Sequence, residues 1–424
     1  MQPLALLMLL LPQATARLQD PEGLARSIEV PLDHAQPADP AQASPGRAAL
    51  RYELGAPFDP ARPTLLVIAD AQQFYLRPGT VARLQHDEFG DAFNVVGIFG
   101  RGTGEEFLQA ALDAEGRTDW ARAWRLFHSF QYVEDIESVR TAVVGQAGQV
   151  LLYGVSGGAL LVHEYLARHG QRVQRAFTAA AVNPFLMGRL GLCSDRFWEE
   201  LGAHDPALQQ ELRRALERHR GERDILAMTL QRQNFFVPAE RLPQARAELI
   251  RALSAGDEER YAAARTEYQV DVVRTFFDAP AGIPVRVREF EFFYPAGVQE
   301  KIGGAAFFPD LENQYNFARP LIELCDAGRI PAPAFDTDPA HALRTEVLVL
   351  AGRWDHAVDY RSSIALAALY PRGRLLLADD DHMFQKLKGD ASYRRLMVAF
   401  LASGFDSAPF QEAMTGVRPH LWRE

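Results

Sequence analysis

Short apolar runs without polar alternation recur along the chain, at residues 64–69, 94–99, 149–153, 176–182, 346–351 and 374–378. Runs of this length and continuity predict strands covered on both faces. Residues 132–144, 159–168 and 360–369 instead repeat their apolar positions at helical spacing. Strand and helix patterns that alternate in this way predict an α/β fold built on a mostly parallel, doubly wound sheet. Two earlier segments, 27–31 and 49–54, predict an opening antiparallel hairpin linked by a loop rich in proline and alanine. The alternation stops at Asn183-Pro184 and resumes at Glu346. Between them the sequence is amphipathic and helical, with helices expected over 206–220, 242–255 and 257–276. The organisation that follows is a core in two parts, 17–183 and 341–424, with a helical insertion at 184–340. Entering between the sixth and seventh strands, the insertion is expected to cover the site as a lid.

One motif sits where this pattern gives it chemical meaning. Gly154-Val155-Ser156-Gly157-Gly158 lies between the run at 149–153 and the helix at 159–168. A strand–turn–helix context is what a G-x-S-x-G nucleophile elbow requires, because the turn is too sharp for side chains two residues either side of the serine. Ser156 is then the candidate nucleophile, and the Gly157 N–H at the helix start is a candidate oxyanion donor. Its partners follow in chain order. Asp355 comes just after the run at 346–351, and His382 just after 374–378, at the strand ends where open sheets keep their ligand sites. A serine hydroxyl needs an imidazole to take its proton, and the imidazole needs a buried carboxylate to fix its tautomer. The order Ser, Asp, His is that of α/β-hydrolases. His356, beside Asp355, reads as a loop histidine at the rim.

Composition narrows the possibilities further. A net charge of −10 argues against nucleic acid or an anionic membrane as partner. The apolar run at 4–11 followed by Ala14-Thr15-Ala16 resembles a secretory signal cleaved after Ala16, so a secreted or periplasmic location is expected, with residues 1–16 removed and no membrane attachment afterwards. Export would permit a disulfide between Cys193 and Cys325, and two free thiols are the alternative. No H-E-x-x-H, cysteine cluster or dinucleotide fingerprint is present, and neither a metal nor an organic cofactor is expected.

Three further segments carry a family resemblance: Val30-Pro31-Leu32-Asp33-His34 before the Pro-rich loop, Arg101-Gly102-Thr103-Gly104 after the fourth strand, and Val133-Glu134-Asp135-Ile136-Glu137 on the helix before the nucleophile strand. With the elbow and its partners, they resemble the prolyl aminopeptidase and secreted tripeptidyl aminopeptidase branch of the α/β-hydrolase fold. The resemblance implies an acyl-enzyme serine hydrolase that releases N-terminal proline or short peptides, with lid glutamates receiving the α-amine. Glu289, Glu291 and Glu312 are the candidates for that role; an exposed charged face with aromatics as lid core is the alternative reading.

One loop departs from the family, which places His-Gly-Gly-Pro-Gly after the third strand; here the stretch is Ala69-Asp70-Ala71-Gln72-Gln73. The second oxyanion donor then falls to the N–H of Ala71 or Gln72, without the glycines that make φ > 0 easy. Asp70 is expected to be a solvated loop aspartate. Two other functions stay open: an esterase, lactonase or amidase on a small acyl substrate, and a catalytically weakened relative that acts by binding.

Overall fold

The computed structural model describes residues 23–35, 46–71, 76–192, 195–297, 301–302, 307–335 and 338–422. The expected signal segment 1–16, together with Gln72 and Cys193, lies outside the described residues. Eight strands form one sheet: β1 (Ala25–Pro31), β2 (Arg47–Leu54), β3 (Thr64–Ile68), β4 (Asn94–Ile98), β5 (Val150–Val155), β6 (Val173–Ala179), β7 (Glu346–Gly352) and β8 (Gly373–Ala378). Their spatial order is β1-β2-β4-β3-β5-β6-β7-β8. β2 runs antiparallel to both β1 and β4, and every later pairing is parallel.

The continuous apolar runs follow from this arrangement. Successive residues of a strand face opposite sides, and both sides of the central strands are covered. Leu66, Ile68, Leu152 and Val349 face one core with Phe127, Tyr132, Val162 and Tyr165. Leu65, Val67, Leu151, Tyr153 and Leu350 face the other with Phe89, Tyr393, Phe400 and Leu401. Neither side leaves room for polar alternation.

The three segments that carried the family resemblance meet in one buried network. Arg101 pairs with both oxygens of Asp135 at 2.7 and 2.8 Å and donates to the Leu32 carbonyl at 2.7 Å. His34 Nε2 lies 2.8 Å from Asp135 Oδ1. The guanidinium and the Asp135 side chain are wholly buried, so removing either partner would strand a charge, a loss of about 3–5 kcal/mol. The network fastens the opening strands to the helix Ser129–Val144.

Between β6 and β7 the described chain runs through helices from Pro184–Arg189 to Pro309–Asp326, with no strand among the described residues. Two boundaries differ from the sequence expectation. The single helix expected over 257–276 is two, Glu258–Glu267 and Val270–Asp278, because Gln269 adopts a left-handed φ of 56°. That turn buries Tyr268, whose carbonyl accepts a hydrogen bond from Arg232 Nε. The strand expected over 176–182 is Val173–Ala179, ended by the positive φ of Ala180. No helix among the described residues is long and apolar enough to cross a membrane.

Candidate functional site

Ser156 follows β5 directly and opens the helix Gly157–His169. Its backbone is held at φ 54°, ψ −122°, a strained conformation for a residue with a Cβ. The surroundings enforce it. The Ser156 N–H donates to Ala179 O at 2.9 Å. A Cβ on Gly154 would lie 2.7 Å from the Gly158 carbonyl oxygen, and one on Gly158 would lie 2.6 Å from that of Ile68. Both glycines are therefore steric requirements of the elbow, as the motif demands.

Asp355 and His382 follow β7 and β8, whose ends pair as Gly352 with Ala378. His382 Nδ1 lies 2.8 Å from Asp355 Oδ2. Asp355 Oδ1 is fixed by the N–H groups of Ala357 and Val358, each at 2.8 Å. The pair is almost fully buried. Burial by itself lowers the His382 pKa, but the Asp355 charge and hydrogen bond outweigh it and hold the imidazole above its ordinary value. The Nδ1–H is committed to the carboxylate, so Nε2 is left as the proton acceptor. From the insertion, Phe235 packs edge-on to His382 with ring centroids 6.0 Å apart. The elbow and the Asp–His pair thus share the carboxyl edge of the sheet, which the helix Arg223–Phe236 meets at His382.

His356 is more than a rim histidine. Its Nδ1 lies 3.1 Å from Asp195 Oδ1, and its carbonyl accepts from Asn234 Nδ2 at 3.1 Å. Asp195 also pairs with the buried Arg246, which, after the opposing effect of burial, helps bring its carboxyl down to about 2. These contacts tie the loop carrying Asp355 to the insertion.

The loop after β3 departs from expectation. Asp70 is not solvated; its carboxylate points inward against Gly157, where any Cβ would run into Oδ2. Arg288 Nε, on the helix Ile283–Phe293, donates to Asp70 Oδ1 at 3.1 Å, and Arg288 Nη1 donates to Glu291 Oε2 at 2.5 Å. The Arg288 side chain is wholly buried. Ala71, the other described donor candidate, is buried in the same loop.

The three candidate glutamates are all buried, and the exposed-face reading does not hold. Glu291 accepts the Ser129 backbone N–H at 2.7 Å as well as the Arg288 bond, and burial is the first cause of its raised pKa. Glu312 is engaged by Arg223 at 2.5 and 3.1 Å. Glu289 is buried and has an interaction partner of its own. Glu291 is linked to the elbow through Arg288 and Asp70.

Sequence reasoning overlooked Arg288 as the counter-charge and Glu164 as the second buried carboxyl beside Glu291. Burial first, then the Glu291 charge, push the Glu164 carboxyl up to about 8. Its signal was present: Glu164 interrupts Ala-Leu-Leu-Val-His with a charge on a helix buried from Gly157 to Leu166. Cys325 is a free, half-buried thiol. Among the described residues no group of three or more His, Cys, Asp or Glu side chains is arranged to hold a metal ion.

No family model and no curated protein matches the sequence. Solved structures similar to this chain include an alpha/beta hydrolase enzyme from a Medee basin deep-sea metagenome library, at 10% identity and a TM-score of 0.43 over 85% of this chain and 97% of the other. An esterase from Exiguobacterium antarcticum is similar at 12% identity and a TM-score of 0.43, covering 84% and 96% respectively. A 2-hydroxy-6-oxo-6-phenylhexa-2,4-dienoate hydrolase from Rhodococcus sp. strain RHA1 follows at 15% identity and 0.39, over 88% and 98%. On its own sheet order, its antiparallel strand β2 and the strained turn between β5 and its helix, this chain has the α/β-hydrolase fold.

Proposed function

We propose that this protein is an exported serine hydrolase that acts as an aminopeptidase on peptides with a free N-terminus. The observation that carries the hydrolase reading is Ser156 at positive φ on the same sheet edge as a buried Asp355–His382 pair. In this reading His382 Nε2 takes the Ser156 Oγ proton as Oγ bonds to the scissile carbonyl carbon. The carbonyl oxygen becomes an oxyanion at the Gly157 N–H, with Ala71 or Gln72 supplying the second N–H. His382 then passes its proton to the leaving amine, the C–N bond breaks, and an acyl-enzyme remains. Water, deprotonated by the same imidazole, releases the acid and restores Ser156.

The inward Asp70 supports the aminopeptidase part of the reading. When one residue is released, the α-ammonium is separated from the scissile carbon only by Cα, about 2.5 Å through two bonds. A carboxylate that receives it has to stand immediately beside the oxyanion donors. Asp70, against Gly157 and 11% exposed in its side chain, stands there. Arg288 offsets part of its charge, which limits repulsion of the oxyanion.

The same carboxylate weighs against the esterase or lactonase reading: in a substrate without an ammonium group, Asp70 opposes the oxyanion, and the reaction would be weak. Fluorophosphonate labelling mapped by mass spectrometry, with Ser156→Ala as control, tests the nucleophile. Free and N-acetylated aminoacyl anilides then test the amine. A folded protein that takes no label at Ser156 would overturn the hydrolase reading and leave binding as the function.

A further inference from the structure

A cavity of about 940 Å³ opens beside Glu291, and Ser156, Asp355 and His382 are not among its lining residues. Its inner end carries Glu164 and Glu291, both buried. Ser129 joins them: its backbone N–H donates to Glu291 and its hydroxyl interacts with both carboxyls. The cation shared here is Arg288, which also serves Asp70, and its Nη2 has no hydrogen-bond partner although it is buried. Three carboxyl groups therefore draw on one guanidinium. Burial first, and then the Glu291 charge, hold the Glu164 carboxyl high, with Arg288 and Arg168 only partly offsetting them.

The mouth has the opposite character. Arg125, Arg168 and Arg329 line it and are exposed, and the Arg168 charge also acts on Glu164 one turn earlier on the same helix. Arg168 instead lies over the Phe130 ring, 4.6 Å from its centroid. Between the ends runs an aromatic wall. His128 stacks on Trp124 at 5.0 Å and on Phe130 at 5.8 Å, and burial, opposed by Asp33, lowers its pKa to about 4 and keeps it uncharged.

We infer that this cavity is a second binding site, for the zwitterion of a short peptide, whose ammonium sits at Glu164 and Glu291 and whose carboxylate sits at Arg168 with its neighbours. Glu164 and Arg168 are one turn apart on a single helix, a rise of about 6 Å. A free amino acid holds its two charges too close together to reach both groups. An extended dipeptide spans about 7 Å and fits, with a side chain against the aromatic wall. The inference stands apart from the hydrolase reading, because Ser156, Asp355, His382 and Asp70 do not line the cavity; the two regions meet only where Arg288 bonds both Asp70 and Glu291.

The test is calorimetric titration of Ser156→Ala protein, which cannot turn the ligand over, with the dipeptide Phe-Ala. N-acetyl-Phe-Ala, Phe-Ala amide and free phenylalanine are the comparison ligands. We expect saturable binding of Phe-Ala, weakened about tenfold or more by N-acetylation and by Glu164→Gln, and similarly by amidation and by Arg168→Ala. Once Glu164 is replaced, N-acetylation should cost little more. Arg168 is exposed, so its variant reports even where Glu164→Gln folds poorly. No binding at about 10 mM, equal affinity for phenylalanine, or affinity indifferent to both Arg168→Ala and N-acetylation would each overturn the site. Such a failure alongside intact labelling of wild-type Ser156 leaves the hydrolase reading in place.

Discussion

Asp70→Asn separates the two influences that the inward carboxylate exerts. With a free aminoacyl anilide, the substitution removes the ion pair to the α-ammonium. A hydrogen bond to a charged group contributes about 1.5–3 kcal/mol, and unit charges about 4 Å apart interact by about 4 kcal/mol at an effective dielectric of about 20. Because Arg288 already offsets part of the Asp70 charge at 3.1 Å, the lower range applies. That corresponds to a fall of roughly 10- to 150-fold in kcat/KM. With an N-acetylated anilide or a fluorophosphonate there is no ammonium to lose, and the same substitution removes a negative charge from beside the developing oxyanion. The labelling rate should therefore rise, by roughly two- to tenfold. The assay is a pair of second-order rate constants for wild type and Asp70→Asn: one for prolyl p-nitroanilide, one for fluorophosphonate labelling. Opposite signs are the expected result. Two falls of equal size would mean that Asp70 only holds the loop, and the argument for amine recognition would be refuted.

Arg288→Met leaves the Asp70 and Glu291 carboxylates buried without their shared cation; we expect a loss of about 3–5 kcal/mol in urea unfolding, partly recovered in Asp70→Asn/Arg288→Met. A double variant no more stable than Arg288→Met would contradict the pairing. Ser156→Gly relieves the positive φ and should gain about 1 kcal/mol of stability while abolishing labelling. An unchanged urea midpoint would argue against strain at the elbow. Gly158→Ala drives a Cβ to 2.6 Å from the Ile68 carbonyl, which only a shift of β3 can relieve, so a cost of about 1–3 kcal/mol and slow labelling are expected. For pH, neutral His382 is the active form, so labelling should fall as pH drops through its pKa. Burial lowers that pKa and Asp355 raises it further, which places the midpoint above 6.5 in the wild type. Asp355→Asn should move it downward and cut the rate by about 10⁴; a pH profile that stays put would separate Asp355 from the imidazole.

The frame of this protein is local information. Continuous apolar runs mark strands buried on both faces, and β3, β4, β5 and β7 lie within a residue or two of where the pattern puts them. The elbow was legible for the same reason: Gly154 and Gly158 are dictated by backbone contacts across a single tight turn. Asp355 and His382 could be read because each follows its strand directly, and strand ends gather at one edge of a parallel sheet. Charge placement was a different matter. Asp70 and Arg288 are 218 residues apart in the chain, and nothing near Asp70 in sequence signals that it turns inward to meet a guanidinium from the insertion. Likewise Glu164 belongs to the helix that follows β5 and Glu291 to a helix of the insertion between β6 and β7, and their shared burial raises both carboxyl groups only once those helices pack. Periodicity and turn chemistry act over a few residues and so write themselves into the sequence. The field at a buried carboxyl is set by whichever side chains the tertiary fold brings within a few ångströms, and that was decided by packing alone.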